Sequence, residues 1–357
     1  MVRKKFKEVV TVKRILNISI IVLIGLFLVS SLVFAADKTS LGTAIRSLEN
    51  PYHADWAAGG EMFAKSVGDP QVIQTCEGSS EKQFNDIKAL VAKTGANVVF
   101  CVDPNESPNC VPIAKALEEA GVYFVTFWNK PDDLKVWDYP HWVSHITFDG
   151  VSAGQYIATE LFKTFKTPNK GKIIAVQGML ANAAAIERWE GLALALKANP
   201  GVEMVAYEAG DWDRAKAFEK VSSMLVAHPD VDGVWAANDN MAMGSLEALR
   251  AAGLAGKVKV CGVDGIEEML RAIAKGEACA TCLPDPKWQG GIGLSIALAA
   301  KEGRINVSSL PKEKRQFYAT MVNINAENID QIIKTYLEGT PEFDWTDYWG
   351  RWLRGIE

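Results

Sequence analysis

A chain of 357 residues with 48% apolar content can bury a sizeable core and exceeds one ordinary domain, so two are expected. Lys and Arg total 38 against 43 Asp and Glu, a net charge of −5, and no basic stripe is present. That balance argues against a nucleic-acid binder, which needs cationic groups to replace phosphate counterions.

The first residues carry Arg3, Lys4, Lys5, Lys7, Lys13 and Arg14, then an apolar run over 15–34, then Ala35 and Ala36. A basic region, an apolar region and the small-residue pattern Val33-Phe34-Ala35 read as a secretory signal peptide over 1–35. An uncleaved anchor is the alternative, because a run of about 20 apolar residues can span a bilayer. Ser30 and Ser31 interrupt the run and favour cleavage. No cysteine stands at the cleavage point, so the free periplasm is the expected address rather than a lipid anchor. Losing 1–35 removes six basic groups and Glu8, leaving a net charge of about −10.

Beyond the leader, apolar strands are expected at 41–45, 71–75, 98–102 and 123–127, with helices at 56–67, 80–94 and 112–120 and a loop at 47–51. The pattern restarts after "HWVSHITFDG", with helices at 151–166, 184–198 and 214–228 and strands at 172–177, 203–207 and 233–237. A helix ending at 252 and a strand at 258–263 follow. Alternating short strands and amphipathic helices specify an α/β fold of parallel sheets with helices on both faces. Two similar halves joined by extended chain suggest two lobes with a cleft between them, a preferred small-ligand site. Asn238-Asp239-Asn240 and Asp264 stand at carboxyl ends of strands, where open α/β sheets bind ligands.

The stretch 211–265, with "AHPD", "NDNMAMGS" and "GVDG", resembles the ribose-type (cluster B, type I fold) periplasmic sugar-binding proteins, and the resemblance runs from Ser40 to about Asn325. It implies a solute receptor for an ABC importer, built as two doubly wound lobes joined by three hinge crossings near 144–148, 281–285 and 316–321. The first lobe would hold 40–145 and 285–316, and the second 146–284 and 317–357 with its aromatic tail. A monosaccharide or sugar alcohol is the implied ligand, and a permease with its ATPase the implied partner. A monomer is expected, with no cofactor and no nucleic acid. The sugar-responsive repressors that share the fold carry a helix-turn-helix where this chain has its leader.

The resemblance also assigns ligand contacts. "SLENPYH" places Asn50 on a hydroxyl and Tyr52 and His53 against a ring, while "AAAIERWEG" supplies Arg188. Trp212 of "DWDR" falls on a stacking aromatic, and Asn238 and Asp264 fall on the binding Asn and Asp. Asp239 is expected to brace its loop or cap a helix. Two departures stand out. In "FVTFWN", Trp128 and Asn129 replace the Asp-Arg pair that grips ribose, and in "TCLPDP" Pro284 stands where a binding Gln is expected. Ribose itself is therefore not the expected ligand, and Trp128 enlarges the stacking surface for a hexose, a sugar alcohol or a less polar solute. Each residue has a structural alternative: core packing for the aromatics, capping for Asn238 and Asp264, and a surface helix for Arg188.

Of six cysteines, Cys101 and Cys110 flank a turn and are the expected disulfide, while Cys279 and Cys282 read as structural despite their redox-like spacing. The insertion "KPDDLKVWDYPHW" is either a rim loop over the cleft or passive surface. The other functional classes are an input protein for a chemotaxis receptor or sensor kinase, and a glycoside-processing enzyme using Asp149, Asp239 and Asp264. Against the enzyme, no nucleophile elbow, Walker loop or Rossmann fingerprint is present, and "GGIG" lacks the preceding strand. His141 and His145 do not make a metal site on their own.

Overall fold

A computed structural model describes residues 38–356 apart from residue 340, so the expected signal peptide lies outside the described residues. Two sheets carry the fold. The first has seven strands in the order β13-β11-β5-β4-β3-β1-β2. These are β1 (Ser40–Ile45), β2 (Gln71–Thr75), β3 (Val98–Val102), β4 (Phe124–Phe127), β5 (Trp142–Phe148), β11 (Gln316–Ala319) and β13 (Trp352–Gly355). The second has six in the order β12-β10-β9-β8-β6-β7. These are β6 (Gly171–Gln177), β7 (Val202–Ala209), β8 (Gly233–Ala236), β9 (Lys259–Cys261), β10 (Ala278–Leu283) and β12 (Val322–Asn325). Both sheets are parallel except for one antiparallel edge strand each, β13 and β12.

β3 explains the central position of its type. All its residues are buried, as a strand covered on both faces requires. Its alternate side chains divide between two cores: Val99 and Cys101 on one face, Val98, Phe100 and Val102 on the other. The helices α1 (Pro51–Val67), α2 (Ser80–Thr94) and α3 (Cys110–Glu119) cover the first sheet, joined by α9 (Pro286–Lys301), which packs along α1. The second sheet carries α4 (Gly150–Lys163), α5 (Ala183–Ala198), α6 (Arg214–Ala227), α7 (Asp239–Ala251) and α8 (Glu267–Ala274).

The chain passes between the sheets three times: at Asp149 between β5 and α4, at Pro284-Asp285 between β10 and α9, and at Thr320-Met321 between β11 and β12. Three details correct the sequence reading. β11 and β13 lie in the first sheet, so the aromatic tail joins the first lobe and not the second. α1 begins at Pro51 because Asn50 caps it and proline suits the first helical turn, so Tyr52 and His53 project from a helix and not from a loop. Cys101 and Cys110 are free and buried in different cores on opposite faces of the first sheet, so the expected disulfide is absent.

Cys279 and Cys282, three apart on β10, are free and buried and hydrogen-bond Val260 O and Asn323 Oδ1. The 130–142 insertion folds back into the outer core of the first sheet. Val136 is fully buried there, and the Arg315 guanidinium donates to the carbonyls of Val136, Tyr139, Trp142 and Val143.

Candidate ligand-binding site

Residues of both lobes, many of them following strands, converge on one cavity. Its lining includes Asn50, Tyr52, His53, Trp128 and Asn129 from the first lobe and Arg188, Trp212, Asn238 and Asp264 from the second. The nine positions that the resemblance assigned to ligand thus lie on one cavity wall, while Pro284, Asp149 and Asp239 do not line it. Arg46, Asp103, Pro104, Asn105, Asn182 and Ala184 complete the wall. The strand-end rule that found Asp264 would also have found Asp103-Pro104-Asn105 after β3. Asn182 reads in sequence only as a helix cap.

The lobes are closed on each other. Ser107 N–H donates to Ala181 O at 3.2 Å, and Ala183 N–H donates to Ser107 Oγ at 3.0 Å. Arg46 reaches across to Asp211 O at 3.3 Å and to the Met179 sulfur.

Backbone strain concentrates on the cavity. Trp128 (φ 57°), Asp211 (φ 51°), Trp212 (φ 63°) and Asp264 (φ 142°) occupy conformations that L-residues rarely adopt. Such conformations persist where the surrounding structure overrides their cost, commonly at functional sites.

The polar groups are held by partners that fix what each offers. Asp103 is the pivot of the first lobe. Its Oδ2 lies 3.0 Å from His53 Nε2, and its Oδ1 accepts from Asn129 Nδ2 at 3.2 Å. A carboxylate only accepts, so Nε2 of His53 donates to Asp103, and in the tautomer with its proton there the buried Nδ1 is an acceptor. Asn129 Nδ2 also donates to Pro104 O at 3.0 Å, which leaves Oδ1 free. On the rim, Asn182 sends Nδ2 across to Asn105 O at 3.3 Å instead of capping α5, and its Oδ1 is likewise free.

Seven buried side-chain polar atoms lack a hydrogen-bond partner among the described residues, and four of them belong to cavity residues: His53 Nδ1, Asn129 Oδ1, Asn182 Oδ1 and Arg188 Nε. Three acceptors and one donor are therefore unpaired, each at a cost of about 1–3 kcal/mol unless something pairs it.

Aromatic faces supply the apolar wall. Trp128 Nε1 donates to Tyr52 Oη at 2.6 Å, and Tyr52 Oη donates to Gln289 Oε1 at 2.8 Å, so these polar ends are already spent. The Arg188 guanidinium lies 4.9 Å from the Trp128 ring centre and 5.6 Å from that of Trp212, and donates to Ala237 O at 2.8 Å. An arginine of the second lobe thus stacks on a tryptophan of the first.

Asn238 caps α7 through Met241 N–H at 3.0 Å and turns Nδ2 to Asp264 Oδ2 at 3.2 Å. Burial pushes the Asp264 carboxyl well above the usual carboxylate range; Arg188 opposes this and Asp239 adds to it. Asp239 braces the loop, as expected from sequence. It accepts from Gly265 N–H at 2.7 Å, from Ile266 N–H at 3.1 Å and from Thr281 Oγ1 at 2.9 Å. Asp149 caps α4 through Ser152 N–H and pairs with Arg354.

Hinged lobes closed over a cavity with aromatic walls and unpaired polar atoms define a solute-binding receptor. The chain belongs to the periplasmic binding protein family: residues 41–305 match the periplasmic binding protein domain. It is 31% identical over 289 residues to the D-allose-binding periplasmic protein of Escherichia coli K12, covering 79% of this chain and 90% of that one. It is 32% identical over 301 residues to the xylitol-binding protein of Mycolicibacterium smegmatis, covering 84% and 80%. Among solved structures, the twin-arginine translocation pathway signal protein from Burkholderia phytofirmans is 43% identical. It superposes with a TM-score of 0.87 over 90% of this chain and 99% of that one.

Proposed function

We propose that this protein captures a monosaccharide or sugar alcohol by closure of its two lobes and delivers it to an ABC importer. The observation that carries the reading is the set of unpaired cavity atoms, three acceptors and one donor beside stacking rings. Hydroxyl groups both donate and accept, and the C–H faces of a carbohydrate or polyol suit aromatic walls. The relatives that bind D-allose and xylitol support this ligand class.

Asn50, Tyr52, His53, Trp128 and Asn129 contact the ligand from one lobe, and Arg188, Trp212, Asn238 and Asp264 from the other. Both sets meet only in the closed form, and that difference in contacts is what shifts the population on binding. No catalytic step is assigned. The mature protein, released from its signal peptide, acts as a periplasmic monomer, and a permease with its ATPase receives the closed form.

Titration followed by intrinsic tryptophan fluorescence tests the reading, because Trp128 and Trp212 line the cavity. Saturable change with a sugar or polyol, and none with amino acids, is the expected result. Saturation by an amino acid alone would overturn it.

A further inference from the structure

The C-terminal segment is a feature of the sequence that the ligand site leaves unused. It is anchored on the first lobe by Trp345, which lies against Gly291 of α9 where any Cβ would collide with the ring. Phe63 meets that ring edge-on at 6.1 Å, Phe343 stacks on it at 4.9 Å, and Ser295 Oγ donates to Trp345 O at 2.6 Å. From this anchor the chain runs to β13, which pairs with β11 through Phe317–Gly355, Tyr318–Arg354 and Ala319–Trp352.

Residues 351–354 touch all three crossings between the lobes. Arg354 donates to Asp149 Oδ2 at 2.7 Å, with its guanidinium 4.5 Å from the Tyr318 ring centre. Asp149 lies in the first crossing and caps α4, the helix that starts the second lobe. Arg351 donates to Asp285 Oδ2 at 2.6 Å and lies 4.8 Å from the Trp288 ring centre. Asp285, buried and at φ 58°, forms the second crossing and caps α9. In the third crossing, Thr320 N–H donates to Arg351 O at 2.9 Å.

We propose that Arg351 and Arg354 are positioning residues for ligand capture: the tail straps the three crossings in the geometry of the closed cleft and raises affinity without touching ligand. The Arg354–Asp149 pair joins a strand of the first sheet to the cap of a second-lobe helix, so rotation of the lobes about the crossings separates it. A contact made in one state and lost in the other biases the equilibrium toward the first. The consequence for affinity rests on the sugar-receptor reading above; the effect on closure does not.

The test compares the full mature chain with Arg354→Gln, Arg354→Lys and Arg351→Gln/Arg354→Gln. Small-angle X-ray scattering measures opening without ligand, and stopped-flow binding uses the sugar or polyol that titrates the wild type. Arg354→Gln is expected to raise the open fraction without ligand and to weaken affinity about three- to tenfold through faster dissociation, with Arg354→Lys recovering most of it. Salt should open the wild type but not the double variant, because a half-exposed ion pair is screened. Arg354 is half exposed, so its replacement leaves a folded protein even if the double variant unfolds. Unchanged scattering in Arg354→Gln would overturn the strap, whatever happens to affinity. A wild type that binds no sugar, yet opens when the strap is cut, would overturn the sugar reading and leave the strap standing.

Discussion

Asp264 is the cavity residue whose charge depends most on what enters. It is buried, held by Asn238, opposed by Asp239 and favoured by Arg188. A ligand hydroxyl donating to it would make its desolvated carboxylate tolerable. Asp264→Ala is expected to weaken ligand binding by about 2–4 kcal/mol in isothermal titration calorimetry, in the range of truncated buried polar pairs; wild-type affinity would remove Asp264 from the site. Asn182→Ala should cost about 1–3 kcal/mol in the same measurement, with little change in melting temperature, since it removes an acceptor that has no internal partner.

At this scale the placing of Asn238, Asp264 and Trp212 on the cavity wall was legible from strand ends and family motifs, while their use was not fixed: Asn238 also caps α7. The sequence was less legible for His53, whose role depends on Asp103, a residue 50 positions away. Asn182 carries the signature of a helix cap, and only the facing Asn105 carbonyl diverts it.

Among the elements, the turn after β6 and the loop before α6 are built around each other. Gly178 faces the Trp212 ring so closely that a Cβ would overlap it. Gly178→Ala should therefore displace Trp212 and reduce affinity about tenfold or more while the chain stays folded by circular dichroism, and unchanged affinity would show that the ring position is not critical.

α4 and α5 meet at a titratable contact. Glu187 accepts from Gly150 N–H at 3.1 Å, and burial pushes its carboxyl up to about 7. An unfolded Glu titrates near 4.3, so between about pH 4.5 and 7 the folded chain keeps a proton that the unfolded chain has released. This contribution is present in full below the unfolded value and is lost as pH rises through 7. Glu187→Gln should flatten the fall in stability across that window in urea denaturation, and an unchanged slope would mean that Glu187 does not titrate there.

Helix and strand identities followed from periodicity, as at 80–94 and 98–102. The start of α1 did not, because the Asn50 cap and Pro51 begin a helix ahead of its first strongly amphipathic turn.

For the whole molecule, the architecture was legible because it repeats: strand and helix alternate twice over, and each half builds most of its own sheet. The place of the tail was not. β13 is a short edge strand whose sequence offers aromatic and charged residues without a period, and its pairing is decided by contacts with β11, α9 and the crossings. The same tertiary contacts make the tail part of the hinge.

The central claim, capture of a polyhydroxylated solute by closure over the cavity, is tested most directly by thermal-shift measurement of residues 36–357. The panel spans pentoses, hexoses, sugar alcohols and amino acids, with Asp264→Ala run in parallel. A ligand that binds only the folded state raises its melting temperature. A rise with one sugar or polyol that disappears in Asp264→Ala is the predicted result. A rise that survives in Asp264→Ala, or one produced only by amino acids, would contradict the account.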